Sequence, residues 1–579
     1  MQVLQKIKQE ISSYLTESVQ VGEGNNYSQY KTVNKISLYR NRTYPYGKVD
    51  SQGYYKYWFD IIQPKVDNEV KNVDLDRANV FLHSDSSADA VPVFILNAKL
   101  KQWMRDEGMG EKINEAEETG AAEGNVVWKR TANGYEKLDL RNLFVIITTA
   151  ETLNDTPVVE RHNMTQSELR KMKGTWQDEA VDKVIKNCGS KMFSAVSNTQ
   201  IKQATETPYY EVFERNGEVS TKELQEAQGV EGGDDNTFVL AKVICAGIGD
   251  SQGGEYILFA EEIDEMPYVE YHRGPYKGTW LREGLVWLLL DVQTRFNKVK
   301  NEMAKLSEWA AKIIFRSNDL KTVQNALTDL MNGDILKSAD IQQVPVVSQG
   351  FVALANELVE LIDLANRISN SFEITSGEAL PSGTPLGLGK LYDQNANKFY
   401  GYLQEKFGLA YAKIIKDWML PQLVKDIKSK DIVTITGDDK YLNQYYQMAV
   451  DSWYVRNLIA IGPHTAEQAQ ALKEAKLQEL LKAKKEARIE LEQGVFTGVL
   501  KRIQVVITNE NFNVSDTQSL IELVKLETDP VRRSALVEVV AQRTIKGVDF
   551  ASLPKTPPAP PQPMQPVQQT MQPASATAQ

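Results

Sequence analysis

The stretch LREGLVWLLLDVQTRFNKVKNEMAKLSEWAAK (281–312) runs from end to end without a proline or an internal turn signal. Within it Leu285, Leu289, Val292, Phe296, Val299, Met303, Leu306 and Ala310 advance in alternating steps of four and three. That is a heptad seam of period 3.5, sustained over more than three repeats, and it predicts a helix that packs lengthwise against another. A helix of this length spans roughly 45–50 Å. Its partner follows an excursion over 313–350. In FVALANELVELIDLANRISNSF (351–372), Phe351, Leu354, Leu358, Leu361, Ala365, Ile368 and Phe372 again step by three and four.

The excursion has its own organisation. Asp319 is placed to cap a short helix, LKTVQNALTDLM (320–331), Asn332-Gly333 comes next, and ILKSADIQQVPVV (335–347) reads as one or two strands. Beyond the second heptad helix lies SGEALPSGTPLGLGKL (376–391), a loop rich in glycine and proline. Its Gly-Lys end resembles a nucleotide-phosphate loop, G-x-x-x-x-G-K-[ST]. Gly389 and Lys390 fit that pattern, but Thr384 stands five before Gly389, and Leu391 has no hydroxyl for Mg²⁺. The segment upstream reads as helix, where a phosphate loop follows a strand. From Leu391 to Ile427 a third helix carries Tyr392, Ala396, Phe399, Leu403, Phe407, Ala410, Ile414 and Trp418, close to the period of 3.6 of a helix packed within a domain. Gly401 and Gly408 mark a close helix crossing or a bend, and Pro421 a kink at its end.

Residues 1–275 mix short helices with hairpins. VVWKRTANGYEKLDL (126–140) and YYEVFERNGEVS (209–220) each set Asn-Gly, at 133–134 and 216–217, between strand-like runs, the strongest short hairpin signal. FVLAKVICAGI (238–248) reads as buried strand and 167–188 as mostly helix. Toward the C-terminus a charged helix is expected over 465–493, opened by the box Thr465…Gln468 and closed near Gly494. Two strands over 495–508 and helices over 515–527 and 529–544 follow, the second capped by Asp529 with Pro530 at its first position. The Pro/Gln-rich tail, 553–579, has no means of forming a core. The fold class is therefore α+β, dominated by helix.

The 579 residues, 42% hydrophobic and 25% charged, have a soluble globular balance with ample length for a core. A net charge of −11 lacks the basic footprint of a nucleic-acid binder. Cys188 and Cys245 make no disulfide framework, and buried, inert thiols are expected. MQVLQKIKQEISSYL is an amphipathic helix without the apolar core of a signal peptide, and LVWLLLDV (285–292) is too short to cross a bilayer. A cytoplasmic or cytoplasm-assembled protein with no membrane partner is expected.

Chemistry is sparse. His83, His162, His272 and His464 are scattered, without metal-ligand spacing, and the acidic runs 261–265 and 437–439 read as solvated faces. No nucleophile elbow and no calcium loop occurs in the sequence, so no catalytic residue, metal or cofactor is expected and the chain is not read as an enzyme.

The segment YHRGPYKGTWLREGLVWLLLDVQTRFNKVKNEMAKLSEWAAK (271–312), with Leu289, Asp291, Gln293 and Asn297 in an L-x-D-x-Q-x-x-x-N pattern, resembles the entry to the first stem helix of portal proteins. These are the head-to-tail connectors of tailed double-stranded DNA bacteriophages, the short-tailed crAss-like group among them. Residues 376–408 resemble the tunnel loop and the helix after it; 140–170 and 509–544 resemble wing and crown regions. The likeness runs in order along most of the chain.

The resemblance implies a portal fold around a ring channel. It maps an N-terminal wing to 1–275, the first stem helix to 276–312, the clip to 313–350 with Asp319, Asn332 and Gly333, and the second stem helix to 351–375. The tunnel loop maps to 376–390, the rest of the wing to 391–514, the crown to 515–552 and a disordered tail to 553–579. It further implies a homo-oligomeric ring of twelve at one capsid vertex, through which double-stranded DNA passes without sequence specificity during packaging and ejection. Terminase, then head-tail adaptor or tail proteins, would dock on the clip, with the major capsid protein around the ring. The location implied is the virion, after assembly in the host cytoplasm.

On this map the tunnel loop offers Leu380, Pro381, Gly383, Pro385, Leu386, Gly387, Leu388 and Gly389 for contact with passing DNA, and Lys390 as the phosphate-facing candidate. Twelve copies at −11 each would carry −132 formal charges in all. Glu357, Glu360, Asp363 and Glu373 are candidates to face the bore and repel the duplex, so that it glides; the other reading turns them to solvent or to Lys298, Lys300 and Lys305. Leu285, Leu289, Val292, Phe296, Leu354, Leu358 and Leu361 are the stem-packing set. Rival readings are a nucleotide-dependent packaging enzyme using 383–390 and another virion component such as a tail adaptor.

Overall fold

Two antiparallel sheets, built from the β-branched and aromatic segments of the first half, form the centre of the body. The structure is a computed structural model. It describes residues 2–16, 19–20, 26–51, 53–75, 80–84, 89–132, 134–188, 209–248, 254–310, 315–316, 342–343, 349–371, 386–426, 431–434, helical turns between 446 and 457, 466–482, 488–491 and 498–507. The expected crown and tail lie outside the described residues. In chain order the body opens with α1 (Gln2–Thr16), β1 (Val19–Gln20), β2 (Asn26–Tyr27), α2 (Gln29–Arg40), α3 (Gln63–Val73), β3 (Val80–His83), α4 (Ala90–Asp106) and α5 (Met109–Glu123). Next come β4 (Asn125–Thr131), β5 (Gly134–Lys137), β6 (Leu143–Val145), β7 (Val158–Thr165), α6 (Gln166–Lys171), α7 (Asp178–Asn187), β8 (Tyr209–Ser220), α8 (Thr221–Gln228), β9 (Phe238–Ala246), β10 (Tyr256–Glu262) and β11 (Tyr268–His272).

One sheet has the order β10-β9-β8-β7-β6 and the other β11-β4-β5. The hairpin expected around Asn133-Gly134 forms, with Thr131 opposite Gly134. The one expected at Asn216-Gly217 does not: β8 is a single strand, paired with β7 on one edge and with β9 on the other. Both edges satisfy its backbone, so no turn is required there. Gly217 is explained by crowding, since an added Cβ would lie 3.0 Å from Pro157. The Asn216 side chain is buried and donates to Glu214 at 3.1 Å and to the Tyr268 hydroxyl at 2.7 Å.

An ionic cluster joins the sheets. Lys129 on β4 sets its ammonium 2.9 Å from Glu160 on β7 and 2.7 Å from Glu214 on β8, with all three side chains buried. Tyr268 on β11 donates to Glu160 at 2.5 Å. Burial raises the Glu160 carboxyl above its ordinary range. Burial pushes Glu214 the same way, but His162, Lys129 and Lys242 outweigh it and hold that carboxyl well below the usual range.

The second half supplies α9 (Leu285–Leu288), α10 (Leu290–Ala310), α11 (Gln349–Ser369) and α12 (Leu386–Lys413), the last running on through a π-helical turn, Ile414–Met419, into Leu420–Asp426. The expected kink at Pro421 is replaced by this π turn. Proline lacks an N–H and crowds the carbonyl four residues back, and a wider turn just upstream relieves both. It also turns Ile414, Ile415, Trp418 and Met419 all into the core. There the expected apolar stripe of α12 is buried through Leu403, Phe407 and Ala410, with Phe407 and Tyr411 set edge-on to Trp128 at 5.8 and 5.1 Å.

Gly401 has open space around it, so it marks no crossing, and Gly408 makes ordinary contact with Leu75 and Ile507. The close crossing lies elsewhere. A Cβ on Gly124 would come 2.4 Å from the Gly284 nitrogen, and one on Gly284 2.3 Å from the Gly124 nitrogen. The end of α5 thus abuts the start of α9, and Asn125 braces the junction through Arg282, accepting from its N–H at 3.0 Å and donating to its carbonyl at 2.9 Å.

Further corrections fall in the C-terminal third. The charged helix is Ala466–Lys482, and Arg488–Leu491 forms a strand against Asp431–Thr434. A helical turn occupies 498–500, and among the described residues of this span Gln504–Ile507 forms a strand, paired with β3. Long-range strand pairing decides these ends over local helix propensity. The amphipathic α1 buries Val3, Leu4, Ile7, Ile11 and Tyr14 as expected, and both cysteines are buried.

Glu117 on α5 is buried; its Oε1 accepts the Leu75 N–H at 2.8 Å while Oε2 has no hydrogen-bond partner. Burial, together with the nearby Asp74 charge and against the Leu75 bond, raises its carboxyl to about 8. Unfolded, such a group titrates near 4.3. The folded state binds this proton more tightly, so its contribution is full below pH 4 and is lost as pH rises toward 8. Relative to Glu117→Gln, the native chain should lose roughly 1.4 kcal/mol per pH unit across that window. Urea melts of both proteins at pH 5 and pH 9 measure it; parallel curves would show that Glu117 is not protonated in the fold.

Candidate functional site: a paired-helix arm

Helices α10 and α11 form the feature that the heptad seams announced. Each is 21 residues long, roughly 30 Å. The helix expected over 276–312 begins at Leu285, because 276–284 is an irregular entry that buries Trp280 and Leu281 beside the glycine crossing. The second ends at Ser369, short of 375. Asn370 takes the left-handed conformation (φ 53°), and Ser371 donates back to the Asn366 carbonyl at 3.0 Å, a helix stop that asparagine tolerates.

The stem-packing set is brought together in two layers. Near the body Leu285, Leu289 and Val292 share a core with Ala365, with Leu361 packed against it. Farther out Phe296, Val299 and Leu358 form a second cluster with Leu354, Leu361, Met303, Phe59 and Ile61. The seam is thus closed within one chain, and Phe351 at its far end is exposed.

A polar ladder runs along another face of α10. Gln293, Asn297 and Asn301 stand four residues apart and meet alternate residues of the segment 57–61. Their side-chain oxygens accept the N–H groups of Ile61 (3.0 Å), Phe59 (2.9 Å) and Tyr57 (2.8 Å). Gln293 and Asn301 also donate to the carbonyls of Phe59 (2.6 Å) and Tyr57 (3.0 Å). Four helical residues rise about 6 Å, and two residues of extended chain about 6.6 Å. The helix therefore offers amide side chains at nearly the interval at which a strand offers backbone groups. Lys305 continues the contact as an ion pair with Asp50 and lies 4.9 Å over the Tyr54 ring.

Of the acidic candidates, Glu357 is held by Arg295 on α10 through two bonds of 2.5 and 2.9 Å, which lowers its carboxyl below the ordinary range. Glu360 and Asp363 are exposed, and Asp363 lies 3.8 Å from Arg367. Glu373 lies outside the described residues. Lys298 and Lys305 form ion pairs with Glu302 and Asp50, and the Lys298 charge also helps to lower the Glu357 carboxyl on α11.

Leu380, Pro381, Gly383 and Pro385 also lie outside, as do Asp319, Asn332 and Gly333. The excursion's flanks are described: Phe315–Arg316 pairs antiparallel with Gln342–Gln343. Leu386, Gly387, Leu388, Gly389 and Lys390 belong to α12, which opens five residues earlier than expected. Each glycine costs a helix only about 1 kcal/mol, which the long core-packed helix behind them offsets. Gly389-Lys390 is accordingly helix, not a loop around a phosphate.

Three features escaped the sequence reading. The spacing of Gln293, Asn297 and Asn301 was available as a signal for the ladder, but nothing marked 57–61 as its partner. The exposed tyrosines beside it, Tyr46, Tyr55 and Tyr57, carry no periodicity. And Glu160, His162 and Glu214 bring ligand atoms within 4.8 Å of one another, although the Lys129 ammonium already lies between the two carboxylates. Only strand pairing assembles that cluster; Glu-x-His on one strand face was its sole local sign.

No helix among the described residues is long and apolar enough to cross a membrane. Neither the family models nor the curated proteins compared with this chain give a match.

Asn297→Leu keeps side-chain volume but strips the Phe59 N–H of its acceptor, a loss of about 1–3 kcal/mol. Hydrogen exchange followed by mass spectrometry should show peptides spanning 57–61 opening at least about tenfold faster, with β4 unchanged. Unaltered exchange at 57–61 would mean that the ladder does not hold the segment.

Proposed function

We propose that this chain is the subunit of a phage portal ring, a channel at one capsid vertex for DNA entry and exit, and the docking platform for terminase and then for adaptor or tail proteins. The observation that carries the reading is the outward side of α11. Val352 and Val359, 62 and 64% exposed, stand seven residues apart on the side turned from α10, and Ile362 and Leu364, 44 and 45% exposed, flank that side on either edge. A soluble chain rarely leaves such a surface uncovered unless something docks on it. A contact that joins unlike faces of successive copies closes into a ring when the rotation per step allows. Two long helices flanking a segment whose described ends pair, Phe315–Arg316 with Gln342–Gln343, are consistent with the rod that the reading requires.

Glu360 and Asp363, turned away from α10, are the carboxylates available to keep a polyanion from adhering to the wall. The seam residues Phe296 and Leu358 are the wrong positions at which to test assembly, because they pack inside one subunit and their loss would unfold the arm.

The test lies on the exposed face. Native mass spectrometry and negative-stain images of the full chain should show rings with a central hole, near 780 kDa for twelve copies of 65.2 kDa. Val359→Asp combined with Ile362→Asp should leave the melting temperature within a few degrees of wild type and yield monomers. Solid or monomeric wild-type particles, or full rings from the double variant, would reject the proposal.

A further inference from the structure

The body carries a second feature, away from the arm. A cleft of about 470 Å³ opens between the entry segment 274–282 and the side of α12, lined among others by Tyr276, Arg282, Lys406, Lys413, Glu151 and Glu270. Lys406 and Lys413 are two helical turns apart and share one face of α12. Arg282 is only 5% exposed. Its guanidinium donates to the carbonyls of Thr279 and Glu151, the latter at 3.1 Å, and lies 4.4 Å over the Tyr276 ring. Among the described residues no ion pair joins Arg282, Lys406 or Lys413 to a carboxylate.

The nearby acids balance these charges only in part: burial lowers the Arg282 guanidinium below its ordinary pKa and outweighs the action of Glu270 and Glu151 on it. Glu270 already accepts from Trp280 at 2.8 Å and from the Leu153 N–H at 3.2 Å, and lies 3.1 Å from His272. Glu69 is committed to Arg273 through bonds of 2.7 and 2.9 Å. Glu151 is exposed at the rim. Burial and repulsion from Arg282 and Arg273 push the Lys406 ammonium below its ordinary pKa, as expected where cations converge in a partly buried cleft.

We infer that this cleft binds a chain of phosphates, with Arg282 at its floor and Lys406 and Lys413 along its wall. Three cations around a concave site favour a multiply charged anion, and guanidinium and ammonium groups are the usual donors to phosphate. The lysines stand roughly 10 Å apart along the helix, too far for one phosphate group to meet both. Two linked phosphates or more are needed, supplied by a nucleic-acid backbone or by a free polyphosphate. Neither lysine lies on the arm, so the inference stands or falls independently of ring formation.

Titration calorimetry of the full chain with sodium tripolyphosphate tests it. Wild type should bind. Lys406→Met with Lys413→Met should weaken binding at least tenfold and reduce the slope of log K against log salt by about one to two. Lys413→Met alone, at an exposed position, should show part of the loss in a protein with unchanged melting temperature. Lys406→Met should raise the melting temperature without anion, because it removes a repelled charge. A short DNA duplex that competes with tripolyphosphate would assign the site to nucleic-acid phosphates, and one that does not would assign it to free polyphosphate. Absence of tripolyphosphate binding by wild type, or equal affinity in the double variant, would overturn the inference.

Discussion

The ladder of Gln293, Asn297 and Asn301 is the contact on which the arm depends. A helix has no free backbone groups along its middle, so it cannot join a neighbouring segment as a strand would. Amide side chains at every fourth position supply the missing donors and acceptors, and the segment 57–61 is held along the helix through its own backbone. Phe59 and Ile61 then reach the outer cluster around Phe296, Val299 and Leu358. A single arrangement thus satisfies the N–H groups of Tyr57, Phe59 and Ile61, which would be costly to leave unpaired, and adds apolar surface to the seam.

At its base the arm is fixed by close packing. Gly124 and Gly284 bring the end of α5 against the start of α9 at a distance that admits no Cβ on either side. Asn125 closes the junction with two hydrogen bonds to Arg282. Behind it the Lys129–Glu160–Glu214 cluster couples the sheets that carry this junction. Removing one partner of such a cluster leaves an uncompensated buried charge, so it constrains the relative placement of the sheets more than it adds net stability. The proposed phosphate cleft borrows the same scaffold, because Arg282 both braces the junction through its backbone and lines the cleft with its side chain.

Much of the arm was legible in the sequence. Leu285, Leu289, Val292, Phe296, Leu354, Leu358 and Leu361 are all buried or half-buried where the heptad pattern placed them. The hairpin at Asn133-Gly134, the amphipathic α1 and the stripe Leu403-Phe407-Ala410 were likewise readable, because each is a periodic signal generated within one element. Element ends were less so. Asn370 stops α11 early, a π turn absorbs Pro421, and α12 starts among residues that look like loop. The first two are local signals whose exact position the periodicity does not fix, and in the third the length of the packed helix behind outweighs the local preference.

What the sequence by itself determined is therefore the kind and order of the elements: two seam-bearing helices around an excursion, after a mixed body. Periodicity records which side of an element avoids water, and that side is fixed by the chain's own geometry. Only the tertiary structure decided which partners meet. It turned Asn216-Gly217 into the middle of a strand, paired 57–61 with α10, gathered Glu160, His162 and Glu214 around Lys129, and left Val352, Val359, Ile362 and Leu364 uncovered. Such meetings join residues up to hundreds of positions apart, and no local pattern encodes a partner whose approach is set by the packing of the whole body.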